Sequence, residues 1–434
     1  MKKSASLIPR DKLFQFTLLV LCFAAWGTAA NMTDPLVKVF SKTFNMSALQ
    51  SALVQFAYYG AYFCLAIPAA LINKRFSFKT GMLTGLGCAA IGAFLFYPAS
   101  QAMTYGYFLA ALFILAGGLS ILETSANPYV MKLGCEKTAT RRLNLAQAFN
   151  PVGTNLGVFL AATLILPNLN QADSTARTAM SAAEQKSIVS AELTAVMTPY
   201  VGMACVLVLI WLAIAFTRSP TADAKTSSGN PVDFKASVGR LFRNKHYRYG
   251  VLAQFFNVGA QTCVWTFTIQ YVMEALNADE VTGGQVLQYS MILFLLSRFV
   301  MTWLMSKVRP ARLLSIMSTV AILLCIVMMA SHNITGVIAL VMISGCLSLM
   351  FPTIYALSLG GLGDDAKFGA AGLVMAILGG AIMPLFQAAL IDTVSTAFSF
   401  VVPAICFALI TAYSIFDAKK RAETAVTSTI AFAK

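Results

Sequence analysis

The chain has 434 residues, of which 58% are hydrophobic and only 11% charged, and its mean hydropathy is +0.74. An ordinary soluble domain is about a quarter charged, so this composition excludes one and points to an all-α membrane protein. The formal charge of +14 does not imply a nucleic-acid partner, because the basic residues are dispersed through short breaks between long apolar runs. Each run approaches the roughly 20 residues that cross a ~30 Å hydrocarbon core as a helix closing its own backbone hydrogen bonds.

Lys2, Lys3, Arg10 and Lys12 precede the first run, 13–36. This start imitates a secretory signal peptide, but it is read as span 1 because its removal would leave eleven spans. Span 1 contains Trp26, Asn31 and, in its outer part, Asp34. Span 2 (47–72) and span 3 (80–98) flank a loop with Lys74, Arg75 and Lys79. In span 4 (104–131), Ser120 and Asn127 stand three residues before and four after Glu123, hence on one face. A short loop returns the chain antiparallel as span 5 (143–167), where Asn144, Gln147, Asn150 and Thr154 form a polar stripe. Span 6 covers 195–217.

Span 7 (249–273) shows Gln254, Asn257, Gln261 and Trp265 at spacings of three, four and four. Span 8 (283–306) holds Arg298 towards its inner end, where the long side chain is expected to snorkel. Spans 9 to 12 are read at 311–331, 334–358, 368–390 and 395–416, and His246 and His332 are read as loop residues.

The polar, basic stretch 218–248 lies midway and separates an N-terminal six-helix half, 1–217, from a C-terminal half with its tail, 249–434. Basic pairs five residues apart recur 233 residues on (Lys74 and Lys79, Lys307 and Arg312), and Pro128 and Pro352 are 224 apart. Such spacing fits two pseudo-symmetric halves of a duplicated transporter with its substrate between them. Of the 31 Lys and Arg, 26 fall on the side of the first segment, four on the opposite side, and Arg298 within a span. The positive-inside rule then puts both termini in the cytoplasm. Glycines 81 and 85, 153 and 157, and 379 and 380 mark expected close helix contacts. The nine cysteines include no CxxC pair; they read as packing residues, with no metal and no cofactor expected.

Asp34 and Glu123 are the acids that the spans contain away from their ends, and an ionised carboxylate at a helix centre costs about 2.5–3.5 kcal/mol to insert. Such a group faces a cavity or a partner, where it can exchange a proton and accept hydrogen bonds from hydroxyl groups. The amides supply both donors and acceptors, suiting a polyol. Trp265, with Trp26 as a second candidate, offers a ring face for a pyranose. The stripes of spans 5 and 7 are therefore expected to face one shared cavity. A drug or metabolite exporter of the same architecture is the alternative, but a lipophilic cargo favours an apolar cavity with one acid. No nucleophile with a base and no phosphate-binding GxxxxGK[ST] loop is present, so neither an enzyme nor a primary pump is expected.

The stretches Ala29-Ala30-Asn31-Met32-Thr33-Asp34, Leu122-Glu123-Thr124-Ser125-Ala126-Asn127-Pro128-Tyr129-Val130, Arg142 through Asn150 and Val251 through Thr262 resemble the fucose–galactose–glucose:proton symporters. The likeness runs from span 1 to span 12. It implies the twelve-helix major facilitator fold in a bacterial inner membrane and a monomer that takes a sugar and a proton. Asp34 and Glu123 would then be the coupling and recognition carboxylates, and Asn150 a sugar-contacting amide. Coupling to protons rather than sodium rests on this resemblance. The chain has Ala30 and Thr33 before Asp34, Met350 before the span 10 proline, and Ala371 and Ala376 in span 11, where the family's fucose carriers are more polar. L-fucose or a related hexose, deoxyhexose or polyol is the expected substrate.

Overall fold

Where they are described, the apolar runs become helices, and the described residues contain no strand. The computed structural model describes residues 6–32, 48–102, 104–165, 167, 181–217 and 234–432. Eleven helical stretches among them are long and apolar enough to cross a membrane. Span 7 completes the twelve as Lys245–Thr266 and Thr268–Leu276, its apolar character diluted by His246, Arg248, Gln254, Asn257 and Gln261.

Several span boundaries shift: span 5 begins at Ala139, span 7 at Lys245, and the helix of span 12 continues to Phe432. Span 6 starts earlier than the hydropathy suggests, at Ala182, because Ser181 and Glu184 form a capping box. Within the stretch read as one midway loop, Phe234–Arg243 is a short helix, while residues 218–233 lie outside those described. Span 8 opens on Asp279, whose carboxylate accepts from the Thr282 N–H at 3.0 Å and hydroxyl at 2.6 Å. Those hydrogen bonds hold the Asp279 carboxyl below its ordinary range.

The chain divides into two compact units. The first comprises Arg10–Val130 and Phe149–Val232, the second Met1–Pro9, Met131–Ala148 and Asp233–Lys434. In the first unit, spans 3 and 4 meet along a seam without side chains. A Cβ on Gly85 would touch the backbone of Leu122 and Gly118, and one on Gly118 would strike Ala89. Spans 1 and 5 meet in the same way, Gly27 against the Asn150 carbonyl and Gly153 against that of Ala24. The second unit repeats the arrangement between spans 7 and 11, where Gly379 lies against the Phe255 carbonyl. Its core is an apolar cluster of spans 7 to 10 and 12, including Leu314, Cys325, Leu340, Ile354, Phe400 and Phe407.

Two helix breaks fall beside prolines. A proline has no N–H for the carbonyl four residues earlier, which must find another donor. Span 5 is divided into Ala139–Gln147 and Asn150–Leu160, with Pro151 removing the partner of the Gln147 carbonyl. Span 10 divides likewise into Ile334–Leu347 and Met350–Leu359, just before Pro352. Span 4 stays continuous through Pro128; the freed Thr124 carbonyl accepts from the Asn73 amide of span 2 at 3.4 Å. All nine cysteines are free, and no group of metal-ligating side chains occurs among the described residues.

Candidate functional site

In the first unit, Glu123 sits well inside span 4, 1% exposed, on a helix stretch buried all round from Leu115 to Val130. Neither carboxyl oxygen has a hydrogen-bond partner of ordinary geometry, although the Asn127 amide one turn on is close enough to interact. One turn back, the Ser120 hydroxyl donates to the Tyr62 carbonyl at 3.0 Å, joining span 4 to span 2. The Tyr62 side chain lies within electrostatic reach of Glu123. Its hydroxyl also accepts from Trp26 Nε1 at 2.7 Å, and its ring lies 5.2 Å from that of Tyr58. Tyr62, which sequence reasoning missed, thus stands between Trp26 and Glu123, while Asn127 adjoins Glu123 on its own helix. The available signal was the four-residue spacing of Tyr58 and Tyr62.

Asn31 and Asn150 lie between spans 1 and 5 of this unit. Asn31 Nδ2 donates to the Gly27 carbonyl at 3.2 Å and to Thr154 Oγ1 at 3.0 Å. Asn150 Nδ2 donates to the Phe23 carbonyl at 3.4 Å, a long bond that leaves the amide oxygen available. Asp34, the other acid singled out, lies outside the described residues.

The second unit holds the rest of the proposed set. Gln254 and Asn257 of span 7 are fully buried, and all four of their amide atoms are without a hydrogen-bond partner among the described residues. Gln261, one turn further, is half-buried. Trp265 is committed to packing: its N–H donates to Ser344 Oγ at 3.2 Å and its ring meets Phe294 edge-on at 5.0 Å. Gln147 and Asn144 belong to the first segment of span 5, which packs in this unit; Asn144 Nδ2 donates to Thr353 Oγ1 at 3.2 Å.

Two residues differ from their sequence reading. Arg298 does not snorkel; it is buried, with its guanidinium 4.8 Å from the Phe294 ring centre and Nη1 donating to the Gln147 carbonyl at 2.8 Å. That is the carbonyl orphaned by Pro151, at the C-terminal end of a helix segment where a cation is favoured. His246 is not a loop residue either. It opens span 7, buried, with Nε2 2.6 Å from Asp417 Oδ1 of span 12.

Residues 18–377 match the profile of the Major Facilitator Superfamily. An L-fucose-proton symporter of Haemophilus influenzae is 40% identical over 94% of this chain and 98% of its own. A glucose/galactose transporter of Brucella abortus is 33% identical over 94% of each chain. Among solved structures, the transporter FucP in its outward conformation superposes with a TM-score of 0.88 at 36% identity, covering 94% of this chain and 99% of that one.

Proposed function

We propose that this chain, which belongs to the Major Facilitator Superfamily, is a secondary active transporter that imports a monosaccharide together with a proton. The observation that carries the reading is Glu123, an acid buried in an apolar span with both oxygens lacking partners of ordinary geometry and Asn127, Tyr62 and Trp26 around it. A carboxyl so placed binds a proton when its cavity is dry and accepts hydroxyl hydrogen bonds when a sugar arrives, so one group links the two occupancies. Asp34 is the second proposed coupling carboxyl.

The amides have a matching part. A buried amide left without partners costs about 1–3 kcal/mol, and a polyol supplies both donors and acceptors. Gln254 and Asn257, buried without partners, fit that role in one unit; in the other, Asn31 and Asn150 are proposed contacts whose amide nitrogens are already bonded to the protein, and Gln147 and Gln261 complete the proposed set. Trp26 supplies an aromatic wall; Trp265 is assigned a supporting place, since its ring is already packed. Alternating access of the halves 1–217 and 249–434, joined by 218–248, would carry the sugar across a bacterial inner membrane, both termini cytoplasmic and the monomer sufficient.

L-fucose is the first sugar to try, followed by glucose and galactose, since relatives named for each are 33–40% identical. The test is uptake of a panel of labelled monosaccharides into proteoliposomes under an imposed pH gradient and, separately, a sodium gradient. The reading expects accumulation of one sugar class driven by the pH gradient alone. Accumulation driven only by sodium, or no sugar uptake in either arm, would overturn it.

A further inference from the structure

Away from these buried residues, the second unit has a cleft of about 1060 Å³ at the end of spans 8, 9, 10 and 12. Five basic side chains line it, Lys137, Lys307, Arg309, Arg312 and Lys419, against the one carboxylate of Glu136. None takes part in either ion pair, Arg240–Asp365 or His246–Asp417, found among the described residues. Arg309, Arg312 and Lys419 are exposed side chains from the start of span 9 and the end of span 12. Like charges gathered this way repel one another unless an anion screens them.

The walls are not those of a site for a small soluble anion. Val308, Leu357 and Ile415 line the same cleft. Beside it on span 8, Trp303 is 55% exposed, and the Lys307 ammonium lies 4.5 Å from its ring centre. On spans 9 and 12, Ile316 and Ile415 are also exposed. An exposed tryptophan next to a lysine at a span end marks the depth where bilayer headgroups meet acyl chains. The opening is therefore basic towards water and apolar towards lipid. Its volume reaches the upper end of the roughly 300–1,000 Å³ of small-molecule clefts.

We infer that this cleft binds the phosphodiester headgroup of an anionic phospholipid, with the acyl chains running down the outer faces of spans 8, 9 and 12. The basic side chains meet the phosphate, and the apolar wall takes the first methylenes. At the first turn of span 9, where Pro310 has no N–H and the Leu313 N–H bonds the Arg309 carbonyl, the backbone N–H groups of Ala311 and Arg312 add two donors. This assignment concerns the bilayer and does not depend on which solute is carried.

Native mass spectrometry of the full-length chain in detergent micelles doped equally with phosphatidylglycerol and phosphatidylcholine tests it. The parent should retain phosphatidylglycerol over phosphatidylcholine by at least about tenfold, since each basic residue near an anionic lipid is worth about fivefold. The triple variant Arg309→Gln, Arg312→Gln, Lys419→Gln should bring the two lipids to near parity. A variant losing the same charge elsewhere, Lys235→Gln, Lys245→Gln, Arg248→Gln, should keep the preference. Because all three cleft side chains are exposed, the single variants should fold and each remove part of the preference if the triple does not express. No preference in the parent, or a preference that survives the triple substitution, would overturn the assignment. Displacement of phosphatidylglycerol by millimolar glycerol 3-phosphate would make this a site for soluble anions and overturn the lipid as occupant.

Discussion

Glu123 has no cation bonded to it among the described residues, and its oxygens lack good hydrogen-bond partners, so its worth must come from what visits it. Glu123→Gln keeps the shape and removes the charge. It should weaken sugar binding by at least about tenfold, as expected for a hydrogen bond to a charged group, and abolish accumulation, both read by equilibrium binding and uptake. Asp34→Asn should differ: uphill uptake vanishes while exchange of labelled for unlabelled sugar persists. An Asp34→Asn protein that accumulates sugar as well as the parent would remove Asp34 from coupling. Asn150→Ala should weaken binding roughly fivefold with expression unchanged, since its one side-chain bond is long and the lost interaction is worth about 1 kcal/mol. Glu123 was legible in the sequence because a charge stands out in an apolar span. Tyr62 was not, because a tyrosine in such a span is ordinary until a neighbouring helix places Trp26 on its hydroxyl.

Helix breaks were hidden for a related reason. The sequence shows Pro151, but not which donor takes the carbonyl it orphans; that donor, Arg298, comes from a span far along the chain. Its place towards the inner end of span 8 suggested snorkelling, and only the packed neighbour shows why the cation stays buried. Removing it should cost about 1.5–3 kcal/mol, the worth of a charged hydrogen bond. Arg298→Ala should therefore lower the thermal unfolding midpoint of the detergent-purified protein. In a Pro151→Ala background the cost should shrink, because the restored N–H satisfies the Gln147 carbonyl within the helix. Purely additive effects of the two substitutions would separate Arg298 from the break. The glycine seams were legible, since small residues at helix spacing announce close packing. Gly153→Leu would drive a side chain into the Ala24 carbonyl, and monodisperse protein on size exclusion should be lost.

The twelve-helix architecture was readable almost entirely from hydropathy, because in a bilayer the backbone has so few options. Grouping by contact was not: residues 131–148, N-terminal in sequence, pack with spans 7–12, through bonds such as Asn144 to Thr353 that no single segment announces. The distribution of basic residues predicts that a phosphatase reporter fused at Lys434, which requires export for activity, stays inactive. An active fusion would reverse the topology. The central claim is that sugar and proton cross together, and the most direct measurement is the pH of a lightly buffered suspension of de-energised cells expressing the protein. Adding L-fucose or the preferred sugar should raise the external pH transiently, with a protonophore abolishing the signal and Asp34→Asn lacking it. Entry of labelled sugar at the parent's rate with no alkalinisation would contradict the account.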